Sequence, residues 1–198
     1  MQFIRTSETR GIDPFDKKLE DIPGGVCVAI SDLGTGATEV KAGTPIGKGS
    51  AGLFNVVKQA VIYGAVGNTD VTLNVVKGHL LKVGNYIFAT VGSKNYAITA
   101  IDSTTSALYD TITVGTTLAA ILAAGDVIYQ GVASAGASTG AFLYTPYALV
   151  GVGFDFTAPD SGENKFCQAI VRGSIKSAVM PNGAGAALIA ALPLIRFV

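Results

Sequence analysis

The sequence predicts a mainly β protein with an extended N-terminal arm, an inserted β-rich segment and one or two short helices. Three observations carry this reading. Short β-branched and aromatic runs alternate with glycine, asparagine and aspartate turns, the pattern of successive short strands. Charge is crowded at one end: nine charged residues fall within the first 22. The texture also changes between residues 67 and 134, where strands become shorter and turns tighter.

The elements follow in order. Residues 1–22 hold Pro14, and Pro23 follows them, which works against a helix. Their apolar residues Phe3, Ile4, Ile12 and Phe15 are widely spaced, as in an arm that lies on its own fold or on a neighbour. Gly24-Gly25 forms a hinge, and Val26–Ile30 is the first strand. Asp32–Gly36 is a loop and Val40–Gly47 a corner. Leu53–Val66 is apolar and rich in β-branched residues, which favours strand over helix. Strands are expected at Val71–Val76, Tyr86–Thr90, Tyr96–Ile101, Leu108–Val114 and Val127–Val132. Thr116–Ala124 is expected as a short helix, capped by Thr116 and closed by Gly125. After the Gly136–Gly140 link, Ala141–Phe156 returns to strand texture. Lys165–Val179 is expected as one long strand bent at Gly173, Ala186–Leu192 as a short helix, and Leu194–Val198 as a closing strand. The chain thus divides into an arm (1–22), a body (23–66 with 135–198) and an insertion (67–134).

One small turn occurs three times, as Ala42-Gly43-Thr44-Pro45-Ile46, Val83-Gly84-Asn85-Tyr86-Ile87 and Ala124-Gly125-Asp126-Val127-Ile128. Glycine permits positive φ at such a corner, and the isoleucine enters a strand. The glycines are 41 residues apart each time, close to the roughly 40–45 residues of a propeller blade. The intervening segments do not align, and three blades are too few. One corner chemistry reused at equal intervals by chance is the plainer reading.

Composition narrows the function. The chain has 198 residues, 49% hydrophobic and only 14% charged, with 25 glycines and zero formal net charge. That balance suits a protein whose apolar surface is covered in an assembly, and it gives no electrostatic reason to expect nucleic acid or an anionic membrane. No apolar stretch reaches the roughly 20 residues of a spanning helix. Cys27 and Cys167 lie in apolar strand-like runs and are expected as two separate core thiols, with a disulfide between them as the lesser alternative.

Reactive chemistry finds little support. His79 is the single histidine and has no partners at metal-ligand spacing. A pairing of His79 with either cysteine lacks a local signature, so a turn or packing role is expected. Gly34-Thr35-Gly36, Gly47-Lys48-Gly49-Ser50 and Gly183-Ala184-Gly185-Ala186 are not placed as phosphate loops. Asp126, Asp155, Asp160 and Glu163 lie in or near turns, and nothing selects a pair for glycoside hydrolysis. Tyr86, Tyr96, Tyr109, Tyr129, Tyr144 and Tyr147 fit core edges as well as a sugar-stacking face. Neither catalysis nor a cofactor or metal is expected.

Two stretches carry a family resemblance. They are Val40-Lys41-Ala42-Gly43-Thr44-Pro45-Ile46-Gly47 near the start, and Arg172-Gly173-Ser174-Ile175 followed by Leu192-Pro193-Leu194-Ile195-Arg196-Phe197-Val198 at the end. In these, and in the arm that precedes them, residues 24–66 and 140–198 resemble the head-decoration and head-fibre proteins of tailed bacteriophages, including crAss-like and other gut phages. The resemblance implies a small β-barrel or β-tulip body on the outer surface of a virion capsid, assembled in the host cytoplasm. It implies a structural auxiliary (decoration or cement) role, with the major capsid protein as partner and a homotrimer as the assembly. Phe3, Ile4, Arg5, Arg10, Phe15, Lys17 and Lys18 are the arm residues expected to meet the capsid. The competing expectation is a head or tail fibre or adhesin module, with residues 67–134 binding a host-surface glycan.

Overall fold

The computed structural model describes residues 13–34, 37–50, 52–156 and 164–198. It is mainly β, with 43% strand and 5% helix, as the alternating short runs predict. The strands are β1 (Phe15–Asp21), β2 (Val26–Ala29), β3 (Glu39–Val40), β4 (Pro45–Lys48), β5 (Phe54–Val56), β6 (Gln59–Val61), β7 (Thr72–Val76), β8 (Tyr86–Phe88), β9 (Asn95–Asp102), β10 (Tyr109–Val114), β11 (Val127–Gly131), β12 (Pro146–Val150), β13 (Phe154–Asp155), β14 (Asn164–Cys167) and β15 (Ala169–Ile175). A 3₁₀ turn (Ser177–Val179), helix α1 (Ala186–Ala191) and β16 (Ile195–Phe197) complete the order.

Two sheets organise these strands. The larger has the order β1-β15-β12-β4-β5-β2-β14, with β16 running parallel to β15. The second has the order β6-β11-β8-β9-β10-β7. An Ile62–Val75 bridge brings its two ends together, so this sheet curls back on itself. A two-stranded ribbon, β13-β3, lies beside them. Within 67–134 lie β7 to β11, and β6 joins their sheet from outside that segment.

Alternation decides which side chains enter the cores. Along β10, Asp110, Ile112 and Val114 are buried while the residues between them are partly exposed, the period of a half-buried strand. Ile62, Leu73, Val75, Ile87, Ile98, Ile112 and Ile128 fill the curled sheet. Val28, Ile30, Ile46, Val56, Ala148 and Val150 fill the core of the larger one. A third cluster joins the two. In it Phe88, Val127 and Tyr129 from the curled sheet pack with Ile170 and Ile175 of β15 and Leu188 and Leu192 of the α1 region. Each buried aliphatic side chain there contributes roughly 1.5–3 kcal/mol.

The three corners are one structure. Gly43, Gly84 and Gly125 have φ of 84°, 89° and 96°. The turns close by Thr44 N–H to Lys41 carbonyl (3.2 Å), Asn85 N–H to Lys82 carbonyl (3.0 Å) and Asp126 N–H to Ala123 carbonyl (3.1 Å). This is the signature of a type II turn, whose third residue must be left-handed. Each glycine N–H also donates to a neighbouring strand, to the carbonyls of Val150, Ile98 and Ile62 respectively. The N–H of that same neighbour returns to the carbonyl of Thr44, Asn85 or Asp126. A fourth copy occurs at Thr90–Ser93, where Gly92 (φ 81°) donates to Gly140 and Gly140 donates to Ser93. It lies only eight residues after Gly84, so the corner recurs without the equal interval.

Three expectations need correction. Thr116–Ala124 is not helical. Thr117 Oγ1 accepts the Ala119 N–H and donates to the Asn68 carbonyl, Ala119 is left-handed at φ 48°, and Leu122 pairs its N–H and carbonyl with Val66. A side chain and a distant backbone segment of the same chain therefore take the backbone groups a helix would use. Lys165–Val179 is two strands, not one: β14 pairs with β2, and β15 with β1 and β12. The break falls at Gln168, whose carbonyl takes the Gly151 N–H at 2.7 Å. Cys27 is exposed and only Cys167 is buried, because Cys27 occupies the outward position of β2.

Candidate functional site

The arm residues divide at the edge of the described chain. Phe3, Ile4, Arg5 and Arg10 lie outside the described residues. Phe15, Lys17 and Lys18 lie on β1, the end strand of the larger sheet. Phe15 is buried in the shared cluster. Lys18 Nζ donates to the Gly151 carbonyl at 2.8 Å, pairs with Asp13 at 3.3 Å and stands 4.8 Å from the centre of the Phe15 ring. Lys17 is exposed, as are Leu19, Glu20 and Asp21. The β1–β15 ladder shifts register three times. A charged, irregular edge resists pairing with further strands, so contacts made from β1 would run through side chains.

The chemistry of the molecule gathers elsewhere, where the two sheets meet. A groove of about 1140 Å³ opens between them, lined by Lys41, Lys77, His79, Lys82, Asn182 and other residues. Beside it Lys58, in the link between β5 and β6, is 1% exposed. A buried ammonium requires partners, and Lys58 has three acceptors. Its Nζ lies 2.9 Å from Asp32 Oδ2 and 2.9 Å from Asn85 Oδ1, and it donates to the Asp32 main-chain carbonyl. Asp32 also meets Lys82 Nζ at 3.4 Å and Gln130 Nε2 at 3.4 Å. Burial pushes the Lys58 amine down to about 8, and the nearby Asp32 carboxylate only partly restores it. Burial pushes Asp32 upward, but Lys58, Gln130 and Lys82 more than offset this and hold it below the ordinary value. These residues come from the loop after β2, the β5–β6 link, the second corner and β11, so the cluster ties one sheet to the other.

His79 is a packing histidine with a polar contact. Its side chain is 4% exposed, with Nε2 3.2 Å from Asp110 Oδ2. Nδ1 accepts the Leu81 N–H at 3.2 Å, which leaves the proton of the neutral ring on Nε2. Burial holds its pKa below the ordinary value against the opposing pull of Asp110. Asp110 also receives Lys77 Nζ at 2.5 Å. No group of three or more histidine, cysteine or acidic residues among the described residues could hold a metal ion.

The tyrosines do not form one face. Tyr129 is buried in the shared cluster, its hydroxyl pushed up to about 12 by burial. Tyr109 packs on Tyr63 with ring centres 4.9 Å apart. Tyr147 lies under Lys48 Nζ at 4.2 Å. The sequence analysis places Asp32 in a loop and Asn85 in a corner but gives neither of them, nor Lys58, a role at a site. One signal was present: Lys58 is the one charge in the run Val56-Val57-Lys58-Gln59-Ala60-Val61, and a charge inside a buried run must find partners.

No helix among the described residues is long and apolar enough to cross a membrane. Comparison with protein-family models, curated proteins and solved structures finds no match to this chain.

Proposed function

We propose that this protein is a structural auxiliary protein of a phage head, binding the major capsid protein on the outer surface and stabilising the shell. The terminal motifs that resemble decoration proteins motivate the reading, and β1 is the observation that supports it most. The arm's Phe15 is anchored in the shared core, so force on residues 1–12 passes into the sheet and not into a loose tail. Burying Phe3 or Ile4 against a capsid subunit would contribute roughly 1.5–3 kcal/mol each before ordering costs, and many lattice copies multiply the effect. A trimer at threefold contacts fits the same role.

The test is to mix purified protein with empty expanded heads of the parent phage and image them. Density on the outer surface is expected, and it should be lost on removing residues 1–12 while β1 remains. Undiminished binding of the truncated protein would overturn the arm mechanism, and bare heads with the intact chain would overturn the function.

A second reading, a fibre or adhesin module binding a host-surface glycan, draws on the Tyr63–Tyr109 pair, with Tyr63 exposed. Paired rings at a surface can stack on sugar faces. Glycan-array binding lost on Tyr63→Ala would favour it.

A further inference from the structure

Lys58, Asn85 and Asp32 bring a primary amine, a carboxamide and a carboxylate into one buried site. Lys58 Nζ is 2.9 Å from Asn85 Oδ1 and 2.9 Å from Asp32 Oδ2. Lys58 is 1% and Asn85 7% exposed. Asn85 Oδ1 also accepts the Lys82 main-chain N–H at 3.1 Å. We propose that Lys58 and Asn85 join in an intramolecular isopeptide bond, with Asp32 as the proton carrier. This inference is independent of the capsid reading.

The contacts bring the amine, the carboxamide and the carboxylate of that reaction into one network. The fold holds amine and amide in contact, which replaces a bimolecular encounter by a positioned one. The Lys82 N–H polarises the carboxamide and remains in place for the developing oxyanion. Burial favours the neutral, nucleophilic amine. The ion pair is the resting state, because Lys58, Gln130 and Lys82 hold Asp32 below its ordinary value; in the minor neutral-pair state that reacts, Asp32 has taken one proton from the Lys58 ammonium. The free Nζ electron pair then attacks Asn85 Cγ, and the carbonyl electrons move to Oδ1. Asp32 passes its proton to Nδ2 and takes a second from Nζ. The carbonyl re-forms, the Cγ–Nδ2 bond breaks, and ammonia leaves. The products are a secondary amide, ammonia and a protonated Asp32, so charge and atoms balance and no other reactant is required.

The bond would tie the β5–β6 link to the second corner, next to the Asp32 loop of the larger sheet. It would fix the junction of the two sheets covalently without cysteine.

The intact mass of the full chain, measured after denaturation, should fall below the sequence mass by one ammonia. Trypsin should leave Lys58 uncut and yield a branched product in which residues 49–77 are joined to 83–94. Lys58→Arg and Asn85→Ala should restore the sequence mass and the linear peptides. Lys58→Arg also separates the cross-link from cyclisation of an asparagine or of an N-terminal glutamine, which lose ammonia without a lysine. Asp32→Asn, verified as folded by circular dichroism, should leave at least tenfold less cross-linked chain. A native chain at full sequence mass would overturn the proposal. So would loss of water in place of ammonia, or ammonia loss that survives Lys58→Arg. A cross-link that forms fully in Asp32→Asn would remove Asp32 from the step.

Discussion

Gly173 faces Lys18 across the β1–β15 ladder, and a Cβ at Gly173 would stand 2.4 Å from the carbonyl oxygen of Lys17. The glycine is therefore needed for close approach of two strands, not for a bend. Gly173→Ala must push β1 away from β15. It should cost about 1–3 kcal/mol, the usual range for overpacking, and it should loosen β1 first. Hydrogen exchange of residues 15–21 should speed up while the curled sheet stays protected. Uniform protection with unchanged stability would contradict the assigned contact.

The corner glycines should rank by their surroundings. All three are left-handed, so an alanine at any of them incurs about 1–2 kcal/mol of backbone strain. Around Gly84 and Gly125 a Cβ meets nothing within 4 Å. At Gly43 it would stand 2.8 Å from Pro14 Cγ and 3.1 Å from Ile175 Cδ1. Denaturant midpoints should fall most for Gly43→Ala and by smaller, similar amounts for Gly84→Ala and Gly125→Ala. Equal losses at all three would show that the contacts at Gly43 relax freely.

These glycines also show what the sequence makes legible. The corners, most strands, α1 and β16 could be read because their signals are local: a turn residue, an alternation, a proline after a helix. The missed features depend on distant partners. Nothing near Thr116–Ala124 announces that Val66 will take the backbone of Leu122. Nothing near Lys165–Val179 announces that its halves join opposite parts of the sheet. The junction cluster is the extreme case. Asp32, Lys58, Asn85 and Gln130 are far apart in the chain, and only the meeting of two sheets makes them one site.

The two thiols should differ sharply in reactivity. Cys27 is exposed and Cys167 buried. Burial, with Cys27 nearby, pushes the Cys167 thiol up to about 11. The thiolate is the reacting form. A disulfide reagent at pH 8 should therefore titrate one thiol per native chain quickly. The second should react at least roughly a hundredfold more slowly until denaturant is added. Cys27→Ser should abolish the fast phase. Two fast thiols in the native protein would mean that the β2–β14 pair opens readily.

Stability should decline as mild acid is approached, with His79 as the cause. In the folded chain burial holds the His79 pKa below its ordinary 6.5, while the unfolded chain retains the ordinary value. Below that pH the unfolded state binds a proton that the folded state refuses, so stability falls as pH drops. For one site the slope cannot exceed about 1.4 kcal/mol per pH unit. Other groups face His79: Asp110 favours the charged ring, and Lys77 opposes it. Their balance leaves burial dominant. Urea midpoints at pH 7.5 and pH 5 should differ for the native sequence. The difference should shrink in His79→Asn, whose Oδ1 can still accept the Leu81 N–H while the ring's proton is gone. An equal decline in both proteins would assign the acid sensitivity to another group.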